Sequence, residues 1–324
     1  MPQSIAQTVG IAALLAACGP TRALAPVQAP VREVAVTFDD LIIGGRDLEL
    51  ARTRSMTQAL LRTITAEAIP AVGFVNEAKL CECADKPARI DVLRLWAAAG
   101  LELANHTYSH PSLTRTPLAD YQRDLVRGEP VTRALMTEHG KTLRYFRHPY
   151  LHTGPTLEVR AAFESWLGEL GYTVAPVTLD NSDYVFNFIY TDAKTRGDTA
   201  LMRQVGEAFV AYVDEITAFY EGVELALFER PIRHVLILHA NELNADWFDE
   251  VVAMMRRRGY RFITLEAALQ DPAYREPDRY AGPSGVSWLY RWDFTRGRKQ
   301  VDWESEPAPP AFVRELYEAA QRGP

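Results

Sequence analysis

Positive charge is scarce in this chain. Its 35 Lys and Arg stand against 42 Asp and Glu in 324 residues, a formal net charge of −7. No basic cluster stands out, because Arg256, Arg257 and Arg258 close a predicted helix, where cations suit the helix dipole. That balance argues against a nucleic-acid partner held by a general electrostatic footprint and leaves an uncharged substrate as the better fit. Cysteine is scarce too, at three residues. Cys81 and Cys83 are one residue apart, which fits neither a zinc ribbon nor a redox Cys-x-x-Cys pair. An exported chain could oxidise them, but a bridge across one residue is strained, and they read as two loop thiols. Internal repeats and low-complexity tracts are missing.

Residues 11–17 are apolar and alanine-rich but too short to span a bilayer, and they look like the core of an export signal. They run into Leu15-Ala16-Ala17-Cys18, which resembles a bacterial lipobox and makes Cys18 a candidate for lipid attachment to a membrane. No Lys or Arg precedes Ile11, so a mere disordered leader is the alternative. The expectation is a leader and proline-bearing tether over 1–30 and an exported, periplasmic or membrane-anchored product. A catalytic domain then covers 31–277, and an appendage rich in Tyr, Trp, Arg and Pro wraps on it over 278–324.

With 48% hydrophobic and 24% charged residues, the chain can bury a sizeable core. Apolar β-branched runs predict strands over 33–38, 70–75, 101–104, 172–177, 234–238 and 262–264, with another beginning at Phe146. Helical periodicity covers 52–68, 90–99, 160–170, 199–220, 247–257 and 265–269, and also 118–139 around a Gly128-Glu129-Pro130 interruption. Strands alternating with helices predict a parallel α/β sheet. Six or seven such units fit a closed or nearly closed β/α barrel, whose active site lies at the C-terminal rim.

Five clusters fall at or just beyond predicted strand ends. In Thr37-Phe38-Asp39-Asp40, adjacent side chains point to different sides, so one carboxylate can meet a metal while its neighbour faces water. In His106-Thr107-Tyr108-Ser109-His110, two histidines four apart can aim both imidazoles at one ion. With Asp40 they would supply three protein ligands and an open position, the mark of a catalytic zinc site. The others are Phe146-Arg147-His148-Pro149-Tyr150, Asp180-Asn181-Ser182-Asp183-Tyr184, and Leu236-Ile237-Leu238-His239. Asp183 could keep His239 protonated for acid work. His148 and His152 read as rim histidines, Asn241 and Glu242 as either sugar contacts or a helix start, and Trp247 as core.

In order, TFDD, HTYSH, RHPY, DNSDY and LILH resemble the five motifs of the polysaccharide deacetylases, the NodB-homology or carbohydrate esterase family 4 enzymes. The resemblance runs over roughly 31–269 and implies a distorted (β/α)7-type barrel with a divalent metal, Zn2+ or another such as Co2+. It implies Asp40, His106 and His110 as metal ligands and Asp39 as general base. Arg147 would orient Asp39, the Tyr150 N–H would hold the oxyanion, and Asp183 would tune His239 as the acid for the leaving amine. Ile237 would line an acetyl pocket.

The implied function is N-deacetylation of an N-acetylglucosamine-containing carbohydrate of peptidoglycan or chitin type. The alternatives are hydrolysis of a small-molecule amide on the same fold, or an inactive carbohydrate-binding lipoprotein. Three departures bear on the substrate. Tyr184 stands where tryptophan is usual, His148 and Leu151 stand where proline and glycine are usual, and the helical insertion over 187–230 could narrow the groove or merely pack outside.

Overall fold

The computed structural model describes residues 31–81, 83–298 and 300–322, together with Met1 and Gln3. The expected leader, tether and Cys18 lie outside the described residues. From Val31 onward the chain forms one compact unit.

Its centre is β1 (Arg32–Leu41), which follows from the β-branched run that begins it. Successive side chains of a strand face opposite sides, and β1 uses both. Val34, Val36 and Phe38 join the larger apolar cluster beneath the helices, while Ala35 joins a second, smaller cluster with Phe74, Ala104, Tyr145, Ala175 and Val235. Thr37 and Asp39 share the alternation of Ala35 and therefore face the barrel interior.

The other strands are β2 (Val72–Val75), β3 (Glu102–Asn105), β4 (Tyr145–Phe146), β5 (Thr173–Val174), β6 (Arg233–His239) and β7 (Tyr260–Phe262). Their spatial order is β5-β4-β3-β2-β1-β6 and every pairing is parallel. A parallel bridge between Leu179 and Leu236 draws the chain beyond β5 onto β6, curling the sheet. The sheet is a distorted barrel of the expected α/β class. The distortion lies in β7: Val34 pairs with His234 on one edge and Phe262 on the other, so β7 joins β1 and not the outer edge of β6.

The helices are α1 (Leu50–Ala66), α2 (Lys86–Ala98), α3 (Leu118–Arg127), α4 (Pro130–Glu138), α5 (Leu157–Glu169), α6 (Asp183–Arg196), α7 (Thr199–Phe228), α8 (Glu242–Arg257), α9 (Leu265–Leu269), α10 (Trp288–Thr295) and α11 (Ala311–Gln321). Phe38 fills the space between sheet and helices, 5.6 Å from the Trp96 ring of α2 and 5.2 Å from Phe248 of α8. The final segment packs back on this body, α10 against α7 and α11 against α6.

Several boundaries differ from the sequence reading. The 172–177 run contributes only two strand residues, because the backbone then leaves β4 to meet β6 at Leu179. The last strand is 260–262, and Thr264 caps α9 by accepting a bond from the Ala267 N–H. Helix α6 begins inside the fourth cluster, at Asp183. Cys81 and Cys83, read as two thiols, are joined in a disulfide, with Cα atoms 5.4 Å apart.

The long helix α7 carries two glycines with opposite surroundings. A Cβ on Gly206 would lie 1.9 Å from the Trp247 ring of α8, whereas one on Gly222 would meet nothing within 4 Å. Alanine at an exposed helix interior ordinarily stabilises by about 1 kcal/mol over glycine. Gly222→Ala should therefore raise stability by about that amount, and Gly206→Ala should lower it by about 1–3 kcal/mol through overpacking. Urea unfolding midpoints of the two variants check the opposite signs.

Candidate active site

The five sequence clusters converge at the C-terminal ends of the strands around one cavity of about 570 Å³. Asp39, Asp40, His106, His110, Tyr150, Ile237 and His239 all line it. Arg147 and Asp183 stand behind this layer, fully buried.

Asp40 follows Asp39 with φ of 66°, and both side chains reach the cavity. Its Oδ1 is 3.9 Å from His106 Nε2 and 3.6 Å from His110 Nε2, and the donor atoms of the three residues lie within 4.8 Å of one another. Ligands of a tetrahedral zinc, with bonds of about 2.0–2.1 Å, sit roughly 3.3 Å apart, so a small contraction seats an ion. Asp40 Oδ1 is buried without a hydrogen-bond partner and has the Lys79 ammonium near it, at 3.3 Å, so it keeps lone pairs to offer a metal ion. His106 Nδ1 lies 2.8 Å from the Arg147 carbonyl, which as acceptor fixes the proton on Nδ1 and leaves Nε2 a free lone pair. Burial lowers the pKa of both His106 and His110 to about 3, so both rings are neutral ligands at ordinary pH. The donor set thus fits a divalent ion.

The loop that carries the two histidines is shaped by its neighbours. Asp124 of α3 accepts bonds from the Tyr108 and Ser109 N–H groups and the Ser109 hydroxyl. Asn105 Oδ1 accepts from the Thr107 N–H at 2.7 Å. A Cβ on Gly128 would lie 2.5 Å from the Thr107 carbonyl carbon, so the interruption between α3 and α4 is where the metal loop sits down.

On one flank of the triad stands Asp39. Arg147 Nη1 donates to Asp39 Oδ1 at 2.6 Å and to Thr37 Oγ1 at 2.7 Å, and Nε donates to the Ala175 carbonyl. Burial raises the pKa of Asp39 against the opposing pull of Arg147 and His239. A carboxylate base moved toward neutrality is a better proton acceptor. His239 stands on the other flank. Its Nδ1 is 2.6 Å from Asp183 Oδ1, and Asp183 Oδ2 accepts from the His239 N–H, Asn241 Nδ2 and Asn244 Nδ2. Burial opposes charge on His239, but Asp183, with help from Asp40 and Asp39, outweighs it and lifts the pKa to about 10. The imidazolium is therefore the standing form at neutral pH.

Backbone strain collects here. Asp40, Thr107, His110, Tyr150, Leu151 and Ser182 all have φ between 52° and 68° without being glycine, as strained functional loops often do. The N–H groups of Leu151 and His152 are taken by the carbonyls of His148 and Pro149. Among the described residues the Tyr150 N–H has no hydrogen-bond acceptor, so it stays available to a ligand.

Other residues sit differently from their sequence reading. His148, expected on the rim, is buried among Tyr121, Phe146 and Phe163. His152 does line the cavity and pairs with the Ser112 hydroxyl at 2.8 Å. Asn241 caps α8 and touches Asp183, while Glu242 is buried against Arg52. The insertion reaches the cavity through Asn187 of α6; no residue of α7 lines it.

Sequence reasoning missed Thr37, whose role the strand alternation with Asp39 could have signalled. It also missed Lys79, whose Nζ donates to the Ile43 carbonyl and lies 3.3 Å from Asp40 Oδ1. Pro283, Ser284 and Gly285 of the final segment complete the lining, and only a Gly-Pro-Ser-Gly turn marked them.

The family model described as polysaccharide deacetylase matches residues 27–174. Over that stretch, a little under half of the chain, the sequence is similar to the polysaccharide deacetylases. It is 25% identical over 244 residues to the peptidoglycan-N-acetylglucosamine deacetylase of Bacillus cereus, spanning 75% of this chain and 70% of that protein. It is 29% identical over 192 residues to the chitin deacetylase of Colletotrichum lindemuthianum, spanning 55% of this chain and 68% of that protein. The solved structure of the chitin deacetylase from Colletotrichum lindemuthianum superposes over 76% of this chain and 94% of that one. Its TM-score is 0.50 at 24% identity, which shows the shared fold.

The His239–Asp183 pair has a defined pH signature in the metal-free state. The folded pKa of His239 is raised from 6.5 to about 10, so the pair's stabilisation is complete below about pH 6.5 and is lost as pH rises through about 10. The unfolding free energy of chelated wild type should exceed that of His239→Gln at neutral pH, and the gap should close toward pH 10. Urea titrations across that window measure it, and a gap independent of pH contradicts the pairing.

Proposed function

We propose that the protein is a metal-dependent N-deacetylase of N-acetylglucosamine-containing poly- or oligosaccharide, of peptidoglycan or chitin type, releasing acetate. The observation that carries this reading is one cavity holding a ligand triad between a base and an acid. Asp40, His106 and His110 would hold the ion, for which zinc suits the His/His/Asp donors and cobalt is also accepted. When bound, such an ion supplies Lewis-acid polarisation and lowers the pKa of water.

The protein's own groups account for the rest of an amide hydrolysis. Asp39, oriented by Arg147, accepts the proton of the attacking water. The Tyr150 N–H meets the oxygen on which negative charge develops. His239, protonated and held by Asp183, donates to the departing amine. Ile237, on the cavity wall, offers an apolar surface to the acetyl methyl. A carbohydrate-binding module would need neither a base nor an acid in this arrangement. We place the activity outside the cytoplasm, a reading supported by the Cys81–Cys83 disulfide, since such bridges persist in oxidising compartments.

Acetate release from N-acetylglucosamine oligomers and from peptidoglycan tests the proposal. Metal-loaded protein should release acetate and chelated protein should not. Asp39→Asn should lose about 10²–10⁴-fold in kcat while still binding the ion. Binding of an ion without acetate release from any sugar would overturn the carbohydrate assignment.

A further inference from the structure

The final segment is built into the active-site wall. Ser287 Oγ donates to the Thr178 carbonyl at 2.9 Å, and the Trp288 N–H donates to the Val177 carbonyl at 2.8 Å, just before the Asp180–Asp183 turn. Arg291, fully buried, donates to Thr153 Oγ1 at 2.9 Å and to Asp278 Oδ2 at 2.7 Å. Arg160 closes on the same Asp278 at 2.9 Å. The segment is thus tied to the chain on both sides of the cavity, at the loop after Tyr150 and at the approach to Asp183.

Between these anchors, Gly285 lies directly on the Tyr150 peptide. A Cβ on Gly285 would fall 1.7 Å from the Tyr150 carbonyl oxygen, 2.8 Å from its carbon and 3.0 Å from Leu151 Cβ. The peptide it presses on is the strained one, Tyr150 with φ of 58° and Leu151 with φ of 55°. Two consecutive non-glycine residues in the left-handed region cost of order 1–3 kcal/mol each and persist only where surroundings hold them. Leu151 in particular has no glycine's freedom to adopt that conformation. Gly285 packs on them, with Pro283 and Ser284 beside it on the cavity wall.

We propose that the Pro283–Gly285 segment is a clamp that keeps the Tyr150–Leu151 turn in its left-handed conformation, and that Gly285 is a positioning residue for the Tyr150 N–H. The clamp acts through Tyr150, so the catalytic part of the claim rests on the deacetylase reading above. The conformational part does not.

Two variants of the zinc-loaded full chain test it, Gly285→Ala and a Pro283→Gly/Ser284→Gly double variant. Each is followed by hydrogen–deuterium exchange at the Leu151 and His152 amides and by kinetics on N-acetylglucosamine oligomers. Both should speed exchange at those amides. Gly285→Ala should lower kcat by roughly 10²-fold, the effect of a misplacement near 1 Å, with KM and zinc content close to wild type. Combining Gly285→Ala with Leu151→Gly, which removes the strain, should recover part of the lost kcat. Unchanged exchange in both variants overturns the clamp whether or not any sugar is hydrolysed. Faster exchange with unchanged kcat overturns the positioning role. If wild type releases no acetate from any oligomer, the deacetylase reading falls together with the catalytic part, and exchange still decides the clamp.

Discussion

Arg147 ties the two halves of the site together. Its guanidinium holds Asp39 and Thr37, and its carbonyl sets the tautomer of His106, so one buried residue orients both the base and a metal ligand. The guanidinium also lies 4.2 Å from the centre of the Phe74 ring, inside the apolar interior of the barrel. A charge placed there is tolerable only because Asp39 answers it, and removing either partner leaves an uncompensated charge. The rest of the site is arranged about this pair: Asp40 lines the same cavity beside the two ligand histidines, and His239 enters from β6 opposite Asp39.

That arrangement separates the protonation states that amide hydrolysis needs. Burial, helped by the Lys79 charge and opposed by Asp40, drives His106 and His110 neutral, as ligands must be. The same burial acts on His239, yet the Asp183 carboxylate, saturated by four donors, keeps that ring charged. Three of the imidazoles that line the cavity, His106, His110 and His239, thus take different roles, and only His239 has a carboxylate bonded at its Nδ1. The left-handed backbone at Asp40, Thr107, His110, Tyr150 and Ser182 is what turns these side chains and the Tyr150 N–H onto a common point.

The parts readable in the sequence were those set by local pattern. The EVAVTF run made β1, and polar residues at strand ends placed Asp39, Asp40, His106, His110 and His239 on one rim. What was hidden depended on distant neighbours. Helix α6 buries Val185, Phe186, Asn187, Ile189 and Tyr190 on several sides, so it has no clean polar face for periodicity to detect. His148 looked like a rim residue beside His152, but Tyr121 and Phe163, from two other helices, enclose it. Lys79 reaches Asp40 and Ile43 from a turn some forty residues away, with no motif to announce it. The final segment resembled an appendage, and nothing local foretold that its turn would line the cavity.

The central claim is that Asp40, His106 and His110 hold a divalent ion while Asp39 stands beside it unbound, held by Arg147. Titration of chelated protein with zinc, followed calorimetrically for wild type, Asp40→Ala and Asp39→Asn, tests it most directly. The account predicts one ion per chain in wild type and in Asp39→Asn, and loss of that site in Asp40→Ala. Undiminished binding in Asp40→Ala, or its loss in Asp39→Asn alone, would contradict it.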